Sequence, residues 1–272
     1  MDFKNVAVSN LEGAIRGMRN PLESWKRSDS YFGIANLDGG VSEDELIDII
    51  DIWTTKDLKE KDISFEHYDN NWEDAWDERL HWCISNGILY DTPNASLMAI
   101  LGPNDLKLAQ SLVLAGTEHH KFMRQIFVSV DITAPLYWWK EFDTYKVGTT
   151  ANSTSTMHKL SSVPITKEMF SFDEDWDLTF NMLQGSIIKG CEDLRKKYVE
   201  TNDKRYWRAL VQILPSAWLQ TRTVTMNYAN LRNMYFQRRN HKLVEWREDF
   251  CNWVETLPYA KELIVLENNN EN

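Results

Sequence analysis

Residues 126–146 read IFVSVDITAPLYWWKEFDTYK, and this stretch decides the fold prediction. Apolar residues occupy every second position from Ile126 to Ile132, which is typical of a strand that is buried on one face. Pro135 ends this strand and suits the start of a helix, so a helix is predicted over residues 137–145. The pair Trp138-Trp139 is predicted to lie in the core or in a subunit interface.

Helical patterns surround this strand on both sides. Asn104 and Asp105 can cap a helix that ends near Gly116. Apolar spacings of three and four predict a long helix through Trp176, Phe180, Leu183, Ile187, Cys191, Leu194 and Tyr198, a helix from Arg205 to Leu214, and a last helix marked by Trp246, Phe250, Trp253 and Leu257. Residues 20–40 are predicted to be rich in loops. The predicted class is therefore α+β, a helix-rich domain with a small central antiparallel sheet.

The net charge of −11 is unevenly distributed along the 272 residues. Residues 41–90 hold 14 Asp/Glu against 4 Lys/Arg, a net charge of −10, and several tryptophans. Residues 201–247 hold 9 Lys/Arg against 2 acidic residues, a net charge of +7. Overall acidity predicts neither a nucleic-acid nor a membrane partner, whereas the basic segment could receive a small anion. The alternative is that both segments are solvated helix faces.

The sequence also bounds location and redox chemistry. It contains no run of 18 uncharged apolar residues, and its start lacks the apolar core of a signal peptide, which predicts a cytoplasmic protein. The three cysteines are odd in number and far apart, so neither a disulfide framework nor a zinc site is predicted.

Several common catalytic motifs are absent from the sequence. It contains no glycine-rich dinucleotide fingerprint, no Walker loop, no H-E-x-x-H and no G-x-S-x-G. His119 and His120 are adjacent and cannot share a helix face as ligands, so no metal is predicted. Ser155 and His158 could pair as nucleophile and base, but no third group is indicated for them.

A longer arrangement of motifs resembles the core of the flavin-dependent thymidylate synthases. Gly116-Thr117-Glu118 follows a helix and precedes the strand, where that family has a G-H-E type turn. After Ala134-Pro135 the family has R-Q-x-x-R-H-R, and this chain has Lys140-Glu141 and then Thr144-Tyr145-Lys146. Asn152 and Ser155 lie near the positions of the family's N-E-x-S, with a slip of one residue.

The second block of the resemblance begins at Leu214-Pro215. The family's N-A-R-x-L-x-N-F-x-x-L-R corresponds to Asn227 through Arg238 without a gap, and its Q-x-E-I-R corresponds to the segment ending at Arg247. The resemblance covers about residues 104–250. It implies one domain over residues 1–272, in which 41–90 is an acidic, Trp-rich insertion and 267–272 is a polar tail.

The resemblance assigns roles residue by residue. The catalytic residue it implies is Arg238. The flavin-binding positions it implies are Thr144, Tyr145, Lys146, Asn152, Asn227 and Asn233. The substrate-binding positions it implies are Glu141, Ser155, Arg208 and Arg239, with Arg208 one turn before Val211, where the family has a phosphate-binding arginine.

The resemblance also implies the chemistry. Family members carry FAD, which NADPH reduces, and they convert dUMP to dTMP by reductive methylation with a carbon from methylenetetrahydrofolate. They use no protein nucleophile, and an arginine at the position of Arg238 polarises the uracil ring. Family members are homotetramers with sites between subunits, so a homo-oligomer and a pyrimidine nucleotide are the implied partners.

Other interpretations remain open. Asn227 and Asn233 could be turn and cap residues, Arg238-Arg239 a solvated helix end, and Ser155 part of a polar loop. The scaffold could lack the chemistry and act as a binding or inhibitory protein through residues 41–90. It could also be a flavoenzyme for another pyrimidine nucleotide, which the exchange of the family's Gln for Glu141 favours.

Overall fold

A computed structural model describes residues 1–35, 89–92, 95–173 and 177–267. Most of the predicted acidic insertion, residues 41–88, lies outside the described residues, as do Trp176 and the tail after Glu267. The chain divides into two compact units, of which the first comprises Met1–Ser9 and Ile126–Val254 and the second Asn10–Gln125 and Glu255–Asn272.

The described residues form seven β-strands and eight α-helices. The strands are β1 (Asp2–Ser9), β2 (Tyr31–Ala35), β3 (Leu89–Thr92), β4 (Ala95–Ile100), β5 (Phe127–Pro135), β6 (Thr150–Ser153) and β7 (Leu219–Asn227). The helices are α1 (Leu11–Arg19), α2 (Pro103–Leu114), α3 (Leu136–Phe142), α4 (Thr156–Lys159), α5 (Leu178–Thr201), α6 (Lys204–Ile213), α7 (Tyr228–Arg238) and α8 (Cys251–Glu255).

The first unit contains a four-stranded antiparallel sheet in the order β1-β5-β7-β6. The predicted strand is confirmed as β5, where Val128, Val130 and Ile132 are fully buried. The neighbouring strand β7 alternates in the same way near its end, because Val224 and Met226 are buried while Thr223 and Thr225 are exposed. One face of the sheet therefore carries the core, and the other carries threonines and Asp131.

An aromatic cluster packs beneath this sheet. Trp138 and Trp139 of α3 are 0% and 1% exposed, which confirms the prediction of a core position. The ring of Trp138 lies 4.4 Å from that of Trp246 and 5.1 Å from that of Phe142. Trp246 belongs to the last predicted helix, which is observed as a π-helical segment (Glu245–Phe250) that continues into α8.

The long predicted helix is α5, which has 24 residues. Cys191 is buried on its inner side with Leu210 of α6, but Leu183, which belongs to the predicted apolar stripe, is exposed. The predicted helix before Pro215 is confirmed as α6. Both helices begin at an aspartate, Asp177 and Asp203, whose side chain accepts a hydrogen bond from a backbone N–H of the first turn.

An ion pair on α5 makes stability depend on pH. Arg195 donates to both carboxylate oxygens of Glu192, at 2.6 and 2.7 Å, and the backbone N–H of Ile165 donates to the same group at 2.8 Å. The Arg195 hydrogen bonds lower the pKa of Glu192 to about 2 from its usual 4.5, while burial acts in the opposite direction. The pair therefore stabilises the folded state fully above about pH 4.5 and loses this effect as the pH falls toward 2.

We expect the substitution Glu192→Gln to remove this part of the acid sensitivity. At pH 6 the variant should be less stable than the wild type by about 1–2 kcal/mol, since solvent screens the pair, and the difference should shrink to near zero at about pH 2. Urea unfolding at several pH values measures this difference in stability. The variant Glu200→Gln is the control, because Glu200 is an exposed residue of the same helix. A difference that stays constant with pH would contradict this assignment.

The second unit holds α1, α2 and a three-stranded antiparallel sheet in the order β2-β4-β3. The prediction that residues 20–40 form loops is wrong at β2, because residues 31–35 pair with β4. The prediction of α2 is confirmed, but its N-cap is Gly102 and not Asn104 or Asp105. The Asp29 carboxylate instead accepts hydrogen bonds from the backbone N–H groups of Asn104 and Asp105, at 2.9 and 3.0 Å.

The side chain of Asp105 has a different role. It is 0% exposed and accepts a hydrogen bond of 2.5 Å from Nε of Arg19, which is itself 4% exposed. The hydroxyls of Ser28 and Ser30 both donate to the second oxygen at 2.6 Å. Burial alone would raise the pKa of Asp105, but these hydrogen bonds outweigh it and lower the pKa. A buried, hydrogen-bonded ion pair therefore joins α1 to α2.

Candidate functional site

The guanidinium of Arg238, at the end of α7, lies at the centre of the candidate site. Its Nη1 donates to Oε2 of Glu141 at 2.5 Å, and its Nε donates to the hydroxyl of Tyr145 at 2.7 Å. The group stands 4.8 Å from the ring centroid of Trp246 and 5.4 Å from that of Tyr145. Arg238 is therefore held on two sides by hydrogen bonds and on two by aromatic rings, with 15% of its side chain exposed.

Three elements bring these groups together. Glu141 lies in the last turn of α3, Tyr145 follows that helix, and Trp246 lies in the π-helical segment. The hydroxyl of Tyr137 donates to Oε1 of Glu245 in the same segment. Burial, and next this hydrogen bond, raise the pKa of Tyr137, so the hydroxyl remains a donor that fixes the segment against α3.

Glu141 has a second basic neighbour. Nε2 of His241 stands 3.3 Å from the carboxylate oxygen that also receives Arg238. On the other side, the Tyr145 hydroxyl donates to Oε1 of Gln237 at 2.9 Å, and Gln237 donates to Oδ1 of Asn233 at 2.9 Å. A continuous chain of polar contacts therefore connects His241 with Asn233 along one side of α7.

The turn after Tyr145 packs against the start of α7. Asn227 is the N-cap of that helix and forms a capping box with Asn230. Asn230 also donates to the carbonyl of Val147 at 2.8 Å, and a Cβ on Gly148 would lie 2.8 Å from the Asn230 side-chain oxygen. Because Gly148 has a φ of +75° as well, only glycine suits this close turn.

The structure joins some of the predicted site residues and separates others. Glu141, Thr144, Tyr145, Asn227, Asn233 and Arg238 belong to the arrangement above, and the Thr144 hydroxyl donates to the carbonyl of Glu141 at 2.7 Å. Arg239 stacks on the ring of Phe236 at 4.8 Å. Asn152 is an exposed residue of β6 opposite Thr223.

Ser155 and Arg208 form a second group. Ser155 precedes α4, and its carbonyl accepts a hydrogen bond from the backbone N–H of Lys159 at 3.1 Å. Arg208 is exposed on α6, next to Trp207, whose indole N–H donates to the carbonyl of Met157 in α4 at 3.3 Å. Ser155 therefore lies just before a helix that contacts α6, which carries Arg208.

Sequence reasoning missed four members of the site, namely Asn230, Gln237, His241 and Trp246. Trp246 was predicted only as a residue of the last helix. Gln237 and Asn230 have a sequence signal, since they follow Asn233 and Asn227 at helical spacings of four and three. His241 has none, because it lies beyond the end of α7.

No protein-family model and no curated protein matches the chain. A search of solved structures finds thymidylate synthase X from Helicobacter pylori, solved with FAD and dUMP, at 14% identity and a TM-score of 0.58, covering 97% of both chains. The protein has the fold of the flavin-dependent thymidylate synthases. A second structure of the Helicobacter pylori enzyme, also complexed with FAD and dUMP, matches 60% of this chain and 83% of its own at 16% identity, with a TM-score of 0.49.

The thymidylate synthase fold confirms the α+β class with its small antiparallel sheet. It also raises the question of whether the residues present suit FAD. Among the six predicted flavin positions, Lys146, Asn152 and Asn233 are exposed and carry N–H donors, which suit an anionic dinucleotide. Thr144, Tyr145 and Asn227 use their side chains within the chain and fix the turn that carries Lys146. The donor set therefore fits a flavin nucleotide.

The described ranges also bear on metal binding and on membrane insertion. No group of three or more His, Cys, Asp or Glu side chains there could hold a metal ion. Within the same ranges, no helix is long and apolar enough to cross a membrane.

Proposed function

We propose that the protein is a flavin-dependent enzyme of pyrimidine nucleotide metabolism that converts dUMP to dTMP by reductive methylation. The observation that carries this proposal is Arg238, a half-enclosed cation at the position that the resemblance assigns to the base-polarising arginine. The fold shared with a thymidylate synthase solved with FAD and dUMP supports it. NADPH and methylenetetrahydrofolate are the proposed co-substrates, and a homotetramer is the proposed assembly.

The roles of this chain's residues follow from their surroundings. Lys146, Asn152 and Asn233 would hold FAD, which supplies the reducing electrons when it is bound. Arg238 would stabilise negative charge that develops on the pyrimidine ring, and Trp246 and Tyr145 would fix its orientation. Arg208, Arg239 and Ser155 would bind the nucleotide, with the charged groups directed to its phosphate.

The absorption spectrum of the purified protein, together with an assay for dUMP, tests the proposal. We expect flavin absorption and release of the C5 hydrogen of dUMP when NADPH and methylenetetrahydrofolate are present.

The variant Arg238→Lys should reduce kcat at least about 100-fold, because lysine cannot reproduce the planar guanidinium between two rings. The matched control Arg205→Lys, on an exposed arginine paired with Asp203, should keep wild-type activity. A protein that takes up no FAD would contradict the proposal.

A second candidate is a scaffold that binds its ligand without chemistry. The observation that favours it is the internal ion pair of Arg238, which leaves the guanidinium with a carboxylate partner already in place. The same assay separates the two, since this candidate gives nucleotide binding without release of the C5 hydrogen.

A further inference from the structure

The charge of Arg238 is balanced from within the protein. Glu141 contacts it at 2.5 Å, and the carboxylate is also 3.3 Å from His241. In the described part of the chain, Glu141 is the acidic residue that contacts Arg238. The other contacts of the guanidinium are with Tyr145 and Trp246. Any anion that approaches Arg238 therefore meets a carboxylate already bound there.

This arrangement has an energetic consequence. A bound anion must either displace Glu141 from Arg238 or accept a like charge within a few ångström, and both cost free energy in a site that is only partly exposed to water. The carboxylate side chain is partly exposed, so it has a route out of the ion pair. Glu141 thus repels the negatively charged ligands that Arg238 attracts.

We propose that Glu141 is an internal competitor that lowers the affinity of the Arg238 site for anionic ligands. The inference deepens the proposed function, on which it rests for the identity of the natural ligand. It reverses the role that the sequence predicted, in which Glu141 binds the substrate. The site then accepts a nucleotide only when other contacts offset the loss of the Glu141–Arg238 pair.

The α3 helix end offers a matched control. Asp143 forms a second carboxylate–arginine pair there, at 2.7 Å from Nη1 of Arg222, and this guanidinium also stacks on a tryptophan, Trp139, at 4.2 Å. Glu141→Gln and Asp143→Asn therefore remove the same charge from two similar pairs on neighbouring positions. In Glu141→Gln the amide would keep the shape of the side chain and one acceptor for Arg238.

The experiment measures binding of inorganic pyrophosphate and of dUMP by isothermal titration calorimetry to the full-length protein. We expect Glu141→Gln to bind pyrophosphate at least about 10-fold more tightly than the wild type, and Asp143→Asn to change it by less than about 2-fold. In the background of Arg238→Gln, the substitution Glu141→Gln should give no gain, because the two residues then no longer interact. Thermal unfolding checks that all variants are folded.

The outcomes separate this inference from the proposed function. An unchanged affinity in Glu141→Gln, or an equal gain in Asp143→Asn, would overturn the inference whether or not the protein binds FAD. A gain that depends on Arg238 supports the inference even if the protein is colourless and inactive on dUMP, in which case the proposed function alone fails.

Discussion

Replacing Asp105 by alanine should destabilise the protein by about 3–5 kcal/mol. The substitution leaves the guanidinium of Arg19, which is 4% exposed, without its carboxylate, and it removes the acceptor of two serine hydroxyls. A chain of this size loses roughly 2–4 °C of Tm for each kcal/mol, so calorimetry should find a fall of about 10 °C.

The control for this prediction is an ion pair at the surface. Asp2 pairs with Lys4, and both side chains are about half exposed or more. Asp2→Ala should leave the free energy of unfolding almost unchanged, since exposed pairs contribute little. Equal effects of the two substitutions would mean that burial of the Arg19–Asp105 pair has no energetic consequence.

The second large effect is expected at Trp138. Its side chain is 0% exposed, and it contacts the rings of Trp139, Phe142, Trp246 and Phe250. Trp138→Ala should cost about 3–5 kcal/mol, because it opens a cavity among side chains that cannot close it. Urea unfolding monitored by circular dichroism measures the loss.

A conservative substitution refines this result. The indole N–H of Trp138 has no acceptor among the described residues, so Trp138→Phe removes a buried donor without removing a hydrogen bond. We therefore expect Trp138→Phe to cost much less than Trp138→Ala. Trp25→Ala serves as the exposed control, since 47% of Trp25 is accessible and its loss should cost about 1 kcal/mol. A similar loss in all three variants would refute the cavity argument.

The sequence predicted the elements whose periodicity is strong. Strand β5 and helices α2, α5 and α6 appear where the apolar spacing placed them. Strand β2 was missed, because residues 20–40 contain many turn-forming residues and the strand is only five residues long. Its existence depends on pairing with β4, a contact that local pattern does not encode.

The same distinction applies to the candidate site. The spacing of the second block assigned a role to Arg238, and this residue is the last residue of helix α7. The Glu141–Arg238 pair joins residues 97 positions apart and depends on the approach of α3 to α7, so no local pattern could indicate it. The prediction for Asp105 failed for a different reason. Its place near a helix start suggested an N-cap, but its side chain instead accepts hydrogen bonds from Arg19 and two serines.

The direct passage from β7 into α7 at Asn227 constrains how this protein can diverge. Nine consecutive residues of β7 pair with β5, and the capping box begins the helix without an intervening loop. One residue inserted at this junction would turn α7 by about 100° and carry Arg238 away from Trp246 and Glu141. The contacts of Arg238 with Trp246 and Glu141 therefore depend on the number of residues in this segment as well as on their identity.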